Sequence, residues 1–545
     1  MDLLDRARVW LEQDPDPVTR AELQRLIDLD DVVELADRFD GRLQFGTAGL
    51  RGALGAGPRR MNRVVVAQAA AGLAAYLLDH VAGGPAVVIG YDARHNSAVF
   101  ARDTAEIMTG AGVRAHLLPG PLPTPVLAFA IRHLGCDAGV MVTASHNPPQ
   151  DNGYKVYLGD SSQIVPPADG LIAAAIERVG PVDRLPRDDT YTVLAADVAD
   201  AYASAAADLL ADGPRDVVAV YTPLHGVGRD TFVDVVSAAG FAPLHVVAEQ
   251  AEPDPDFPTV AFPNPEEPGA MDLALRLAGE VDADLVVAHD PDADRCAVGV
   301  RDPSGSGHRM LTGDQVGALL ADHLLRRGAA GTYAASIVSS DLLGRQAAAH
   351  GRPWQQTLTG FKWIGKIDDL AFGFEEALGY CVAPHIARDK DGVTAGLVVL
   401  ELAAELRRDG LTLLDRLDEI HREHGVHHTG QLSVRVEDLA IITTAMTVLR
   451  STPPDRLGGM PVSSVDDLAA GYRGLPPTDG IRLGLAAGEG LAGARVICRP
   501  SGTEPKLKCY IEVVAPVTTT VEAARAAAET ALVSVSDDLA AALGI

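Results

Sequence analysis

The sequence predicts an α/β protein: three similar mixed α/β domains in series, then a smaller C-terminal α+β domain. Three observations carry that reading. At 545 residues the chain is too long for one core, given roughly 100 to 200 residues per domain. Its 47% hydrophobic and 22% charged residues are those of an ordinary globular protein. Short apolar β-rich runs also alternate with helical patterns over most of its length, which argues for parallel α/β packing with ligands at the carboxyl ends of strands.

The N-terminal run MDLLDRARVWLEQD is acidic and amphipathic, hence helical, and lacks the basic and apolar segments of a signal peptide. The longest apolar run, Val64 to Leu78, contains Gln68 and stops short of the ~18 residues a membrane span needs, so it reads as a buried helix. From Pro85 onward AVVIGYD is a strand, SAVFARDTAEIMTG a helix, RAHLL a strand, PVLAFAIRHLG a helix and AGVMVTAS a strand entering a polar loop. A comparable unit follows: DVVAVYTPL, a helix from about Arg229, PLHVVAE, a helix from about Gly269, and DLVVAHDPDAD. The third unit contains TYAASIVSS, DLLGRQAAAHG, QQTLTG, FKWIGKIDDL, AFGFEEALGY and the apolar helix Gly392 to Leu406. After about His427, QLSVRV, IRLGLAA, ARVICRP and KLKCYIEVV are strands among longer polar connections, closed by an Ala-rich helix. The expected domains are 1–205, 206–311, 312–426 and 427–545.

A net charge of −28 opposes attraction of a polyanion, so nucleic acid is not an expected partner. A phosphorylated ligand needs a local cluster of Arg, Lys and backbone N–H groups. Cys136, Cys296, Cys381, Cys498 and Cys509 are odd in number and form no CxxC pair, which argues against a zinc knuckle or a disulfide framework. A reducing compartment, the cytoplasm, is expected.

Thr143-Ala144-Ser145-His146-Asn147-Pro148-Pro149 directly follows the strand AGVMV, presenting a hydroxyl beside an imidazole. The prolines prevent a helix from starting and leave a rigid, exposed loop. Ser-His adjacency alone says little; Asp151-Asn152-Gly153-Tyr154-Lys155 adds weight by returning a lysine as a candidate acid or base. No G-x-S-x-G elbow is present, which disfavours a serine hydrolase.

In His289-Asp290-Pro291-Asp292-Ala293-Asp294-Arg295, three carboxylates at every second position can converge on one hard cation, magnesium or a similar ion. An EF-hand would want Gly and Glu where Arg295 and Arg301 stand. A haloacid-dehalogenase phosphatase usually has Thr or Val where Asp294 stands. Arg499-Pro500-Ser501-Gly502-Thr503-Glu504-Pro505-Lys506 joins two strands and makes a compact anion nest. Phe374-Glu375-Glu376-Ala377-Leu378-Gly379 sets paired carboxylates where sugar hydroxyls could be held, and the glycine-rich loop Phe45 to Gly52 carries Arg51. Alone, the first and third are equally well structural turns, and the glutamate pair says little because such pairs are usually solvated.

Together and in order, FGTAGLRG, TASHNPPQDNGYKVY, DPDADR, GFKWIG, FEEALGY and RPSGTEPK resemble the α-D-phosphohexomutase superfamily, the phosphoglucomutases and phosphomannomutases, from about Leu43 to Val514. The resemblance implies four domains around a central cleft and a small phosphosugar as ligand. It implies a magnesium-dependent mutase that interconverts hexose 1-phosphate and 6-phosphate, glucose or mannose, through a phosphoserine enzyme and a sugar 1,6-bisphosphate. Ser145 matches the phosphoserine; Asp290, Asp292 and Asp294 match magnesium ligands that share the ion with it. Arg51, His146, Lys155 and Arg295 fall among the catalytic positions. Lys362, Glu375, Ala377, Lys390, Arg499, Ser501, Gly502 and Thr503 fall among the substrate-binding ones.

Two residues depart from the pattern: Ala377 stands where many hexomutases have Ser, and Ala48 where many have Asp or Ser. With YTPLHGVG and PNPEEPGA, they resemble the branch that holds phosphopentomutases and glucose-1,6-bisphosphate synthases as well as bacterial phosphoglucomutases. The alternatives are therefore a pentose mutase, a bisphosphate synthase and a non-catalytic sugar phosphate sensor.

Overall fold

The computed structural model describes residues 2–305, 307–436, 438–500 and 506–544. It forms two compact units, one of Met1–Leu311, Gly365–Asp368 and Leu378–Asp409, the other of Thr312–Ile364, Asp369–Ala377 and Gly410–Ile545.

The first unit begins with three short helices, α1 (Leu3–Gln13), α2 (Pro17–Asp28) and α3 (Val32–Phe39), each capped by an aspartate side chain that accepts a backbone N–H. Then follow β1 (Leu50–Ala53), α4 (Arg63–His80), β2 (Ala86–Tyr91), α5 (Ser97–Gly110), β3 (Arg114–Leu117), α6 (Thr124–His133), β4 (Ala138–Val142), β5 (Asp151–Leu158), α7 (Ala168–Glu177), β6 (Thr192–Val193) and α8 (Asp197–Ala207). Six strands make one sheet in the order β1-β5-β4-β2-β3-β6. The expected buried helix is α4; it packs against α5 and α7, and Gly72 allows this because a Cβ there would overlap Ile176.

The second sheet of this unit comes from β7 (Ala219–Thr222), α9 (Gly228–Ala238), β8 (His245–Val246), α10 (Asp272–Glu280), β9 (Leu285–His289), β10 (Cys296–Arg301) and β11 (His308–Met310), ordered β11-β10-β9-β7-β8. The helix expected from Gly269 starts at Asp272, because Gly269 turns the chain at φ +84°.

Both sheets are mixed, a parallel core with an antiparallel return. β2, β3 and β4 run parallel, as do β7, β8 and β9, but β5 returns antiparallel to β4 and β10 antiparallel to β9. In each case the polar loop after an apolar strand is too short for a crossover helix and makes a hairpin instead. These two hairpins carry the serine and aspartate loops.

In the second unit, α11 (Gly313–Arg326), β12 (Thr332–Ser336), α12 (Leu342–Ala349), β13 (Trp354–Thr357), α13 (Phe361–Gly365) and β14 (Leu370–Glu375) build a parallel arrangement β13-β12-β14. The chain passes through β15 (Gly379–Cys381) and α14 (Gly392–Arg408) of the first unit before α15 (Leu413–His424). The C-terminal part has β16 (Val426–Arg435), α16 (Leu439–Ser451), β17 (Arg456–Leu457), β18 (Met460–Asp467), β19 (Ile481–Leu485), β20 (Gly493–Pro500), β21 (Lys506–Ala515) and α17 (Val521–Leu543). Its antiparallel sheet runs β16-β21-β20-β19-β18-β17, with α17 packed on β16 and β21 over Ile511, Val513, Val535 and Leu539. This is the expected α+β domain.

Candidate active site

β4 is buried at all five residues and delivers the chain to Thr143, whose hydroxyl accepts the Ser145 N–H at 2.8 Å. That turn puts Ser145 at φ +52° and directs its side chain back into the protein. Arg94 then fixes the loop. Its guanidinium donates to the carbonyl oxygens of Ser145 (2.6 Å), Pro148 (2.8 Å), Asp151 (3.2 Å) and Asn147. Arg94 is itself buried 3.4 Å from Asp92, which also accepts from Ser97.

Ser145 is only 2% exposed, so the expectation of an exposed loop is corrected. The prolines do keep it non-helical, but the arginine draws its carbonyls inward. The Ser145 hydroxyl donates to Asp290 Oδ2 at 2.8 Å and lies 3.3 Å from His146 Nδ1. Burial, with Arg295 and Arg51 nearby, holds the His146 pKa well below the usual imidazole value.

The aspartate loop links β9 to β10. Ala293 at φ +52° closes a turn in which its N–H reaches the Asp290 carbonyl, and the Arg295 N–H caps Asp290 Oδ1 at 3.1 Å. The YTPLHGVG loop buttresses it: the Val227 N–H donates to the Pro291 carbonyl, and Gly226 packs so closely on Pro291 that a Cβ would overlap it. Asp290, Asp292 and Asp294 are fully buried, and one ligand oxygen from each lies within 4.8 Å of the others.

Three cations face this cage. Lys155, on β5 across from Met141, sets Nζ 2.7 Å from Asp292 Oδ2 and 2.9 Å from Asp294 Oδ2. Lys390 Nζ lies 3.0 Å from Asp294 Oδ2, and Arg295 Nε is 3.9 Å from Asp290 Oδ2 and Asp294 Oδ1. Burial alone would lower the Lys155 pKa, but Asp292 and Asp294 outweigh it and keep the ammonium charged. Arg51, on β1, donates to Asn147 of the serine loop at 3.1 Å. The residues fit a hard divalent cation, because Asp292 Oδ1 and Asp294 Oδ1 are buried with no hydrogen-bond partner among the described residues.

The structure thus brings together Ser145, His146, Lys155, Arg51, Arg295, Lys390 and the three aspartates, from four segments of the first unit. In the second unit Glu375 ends β14 and accepts the Gly360 N–H at 2.6 Å, on the turn that enters α13 with Lys362. The expected pair of carboxylates is divided. Glu376 turns to the Ser336 and Ser339 hydroxyls at 3.2 and 3.0 Å, and Ala377 follows. Arg499 stands near the end of β20, opposite Lys508. Ser501, Gly502 and Thr503 lie outside the described residues.

Sequence reasoning missed Arg94, Thr124, Tyr157 and Asp389. Tyr157 and Gln163 donate to Asp389 Oδ2 at 2.8 and 2.7 Å, beside Lys390. The signal for Arg94 was present: Asp92-x-Arg94 closes the strand AVVIGYD at its carboxyl end, where ligand loops sit.

Residues 42–182, 200–305 and 312–422 match the phosphoglucomutase/phosphomannomutase alpha/beta/alpha domains I, II and III respectively. The chain is 50% identical over 459 residues to the "Probable phosphomannomutase" of Haemophilus influenzae, covering 83% of this chain and 93% of that one. It is 36% identical to the human phosphopentomutase (93% and 90% covered) and 36% identical to a phosphoglucomutase of Staphylococcus haemolyticus (87% and 90%). A solved Thermus thermophilus protein assigned to the phosphomannomutases superposes with a TM-score of 0.72 at 26% identity, over 92% of this chain and 99% of that one.

The fold and these matches define an enzyme that moves a phosphoryl group within a sugar phosphate, a mutase of the phosphohexomutase superfamily. The chain belongs to the phosphoglucomutase/phosphomannomutase family. That family depends on magnesium. Among the described residues no helix is long and apolar enough to cross a membrane.

Proposed function

We propose that the protein interconverts hexose 1-phosphate and hexose 6-phosphate, with glucose and mannose as its sugars, and carries the transferable phosphoryl group on Ser145. The observation that supports this most is the Ser145 hydroxyl 2.8 Å from Asp290, at the edge of a cage of three buried aspartates faced by Lys155, Lys390 and Arg295. A seryl phosphate there has cations for its oxygens and a rigid loop behind it.

In the reaction, a free sugar hydroxyl forms a bond to phosphorus as the Ser145 Oγ–P bond breaks, and the proton exchange falls to His146 and Lys155 of the cluster. The bisphosphate then turns over, and its other phosphate returns to Ser145. Asp290, Asp292 and Asp294 would hold magnesium, which when bound neutralises charge on the phosphoryl oxygens. Lys362, Glu375, Ala377 and Lys390 serve the sugar, and Arg499, Ser501, Gly502 and Thr503 the phosphate that stays. Domains 1–205, 206–311, 312–426 and 427–545 divide this labour. The five free, buried cysteines suit a reducing, cytoplasmic setting.

Intact-mass measurement tests the covalent step: purified protein should carry a phosphate-sized increment that the Ser145→Ala variant lacks, and an increment kept in that variant would refute it. A pentose mutase is the second reading, favoured by the human phosphopentomutase match and by the missing hydroxyl at Ala377. Specificity constants for glucose, mannose and ribose 1-phosphates separate the two, and a large preference for ribose would replace the hexose reading.

A further inference from the structure

We infer that Thr124 is a positioning residue for the cation cage: it fixes the Asp292 carboxylate so that Oδ1 alone is offered to the ion. The inference rests on the proposed reading of the three aspartates as a cation site. Thr124 is the first residue of α6 and is fully buried between Pro123 and Pro125. Its backbone N–H, which has no acceptor within its own helix, donates to the Asp292 carbonyl at 2.9 Å. Its hydroxyl donates to Asp292 Oδ2 at 2.6 Å. Backbone and carboxylate of the central aspartate are therefore held by one residue, reached from a different sheet.

The electrostatics explain why this matters. Lys155 Nζ donates to the same Oδ2 at 2.7 Å, so that oxygen has two donors while Oδ1, equally buried, has none among the described residues. A carboxylate rotates easily about its Cβ–Cγ bond. Without the hydroxyl, Lys155 can draw either oxygen, and the offered lone pairs turn away from Asp290 and Asp294. Partners behind a metal ligand typically affect affinity by about 10- to 100-fold. The proline on each side leaves the Thr124 backbone little room to swing, which suits a fixed strut.

The test is a titration with Mn²⁺ as probe, read as loss of the free-ion EPR signal in full-length protein without sugar phosphate. Thr124→Val keeps the shape and removes the donor, and should weaken binding roughly 10-fold or more, with the thermal midpoint near that of the wild type. Thr124→Ser restores the donor and should bind within about threefold of wild type. Should Thr124→Val fail to fold, Thr124→Ala carries the same expectation. Wild-type affinity in a folded Val or Ala variant, or loss of affinity in Ser equal to that in Val, overturns the inference. If the wild type itself binds no Mn²⁺, or if Asp292→Asn binds as well as wild type, the reading of the cage fails instead.

Discussion

The guanidinium of Arg94 lies over the ring of Phe257, 4.9 Å from its centroid. Phe257 is 2% exposed and sits at φ +47° on the loop between β8 and α10, so a residue of one sheet's connections stacks on the arginine that holds the serine loop of the other. One face of Arg94 is covered by an aromatic ring while its edge feeds four backbone carbonyls. A lysine cannot reproduce that planar fork. Arg94→Lys should lower kcat roughly 100-fold by misplacing Ser145, as small displacements at a reacting group do. Phe257→Leu should cost about 1 kcal/mol or slightly more through the lost ring contact. Steady-state assays with glucose 1-phosphate and thermal melts measure both, and full kcat in Arg94→Lys would show that the loop holds itself.

Ser145→Ala tests the covalent step separately from the scaffold. The hydroxyl makes one donor bond, to Asp290, so its loss should cost about 1 kcal/mol of stability. Transfer of label from sugar bisphosphate to protein should vanish, and kcat should fall roughly 10³-fold or more. A variant that isomerises at wild-type rate would require a different phosphoryl carrier.

The sequence made the site's chemistry legible but not its closure. DPDADR could be read as a cage because alternate residues of a tight turn share a side, and Lys155 could be linked to Ser145 because ten residues suffice for a loop and a return strand. The hairpin itself was missed, since periodicity marks strands without giving their direction. Arg94 and Thr124 were missed for a related reason. Their partners are carbonyls and a carboxylate 51 to 168 positions away, so Asp92-x-Arg94 marks a place at a strand's end without showing what the arginine holds. The division of Glu375 from Glu376 was hidden too, because it depends on two serines brought in by β12.

The second unit offers a pH prediction. Glu512, on β21, accepts from Ser340 Oγ (2.6 Å), the Asp341 N–H (3.0 Å), His427 Nδ1 (2.8 Å) and Arg495 Nε (2.8 Å), and Ser340, His427 and Arg495 are buried with it. Burial would raise its pKa, but the Arg495 charge and these donors hold it well below the ordinary glutamate value of 4.5. A depressed carboxylate contributes stability that is present above about pH 4.5 and is lost as the pH falls below it. Glu512→Gln should therefore cost roughly 3 kcal/mol at neutral pH, by leaving buried Arg495 with the more exposed Asp341, 3.2 Å away, as its remaining ion-pair partner. Its thermal midpoint should also fall less than that of the wild type between pH 5 and pH 3. Parallel midpoint curves for the two proteins across that range would mean that the buried pair contributes nothing to acid unfolding.

Gly226 supplies the last prediction, and it concerns backbone alone. The segment before α9 crosses the aspartate loop so tightly that a Cβ on Gly226 would meet Pro291 at its Cα, its carbonyl carbon and its oxygen. None of these is a flexible side-chain end, so the loop must move as a whole. Pro291 lies between Asp290 and Asp292, and Val227, the residue after the glycine, donates to its carbonyl. Gly226→Ala therefore pushes on the cage from behind without touching any of its oxygens. The expected overpacking cost is about 1 to 3 kcal/mol, and the same displacement should weaken Mn²⁺ binding and lower kcat together. Titration and turnover measured on one preparation check this. A variant less stable but unchanged in both would mean that the two loops yield elsewhere, with Pro291 staying in place.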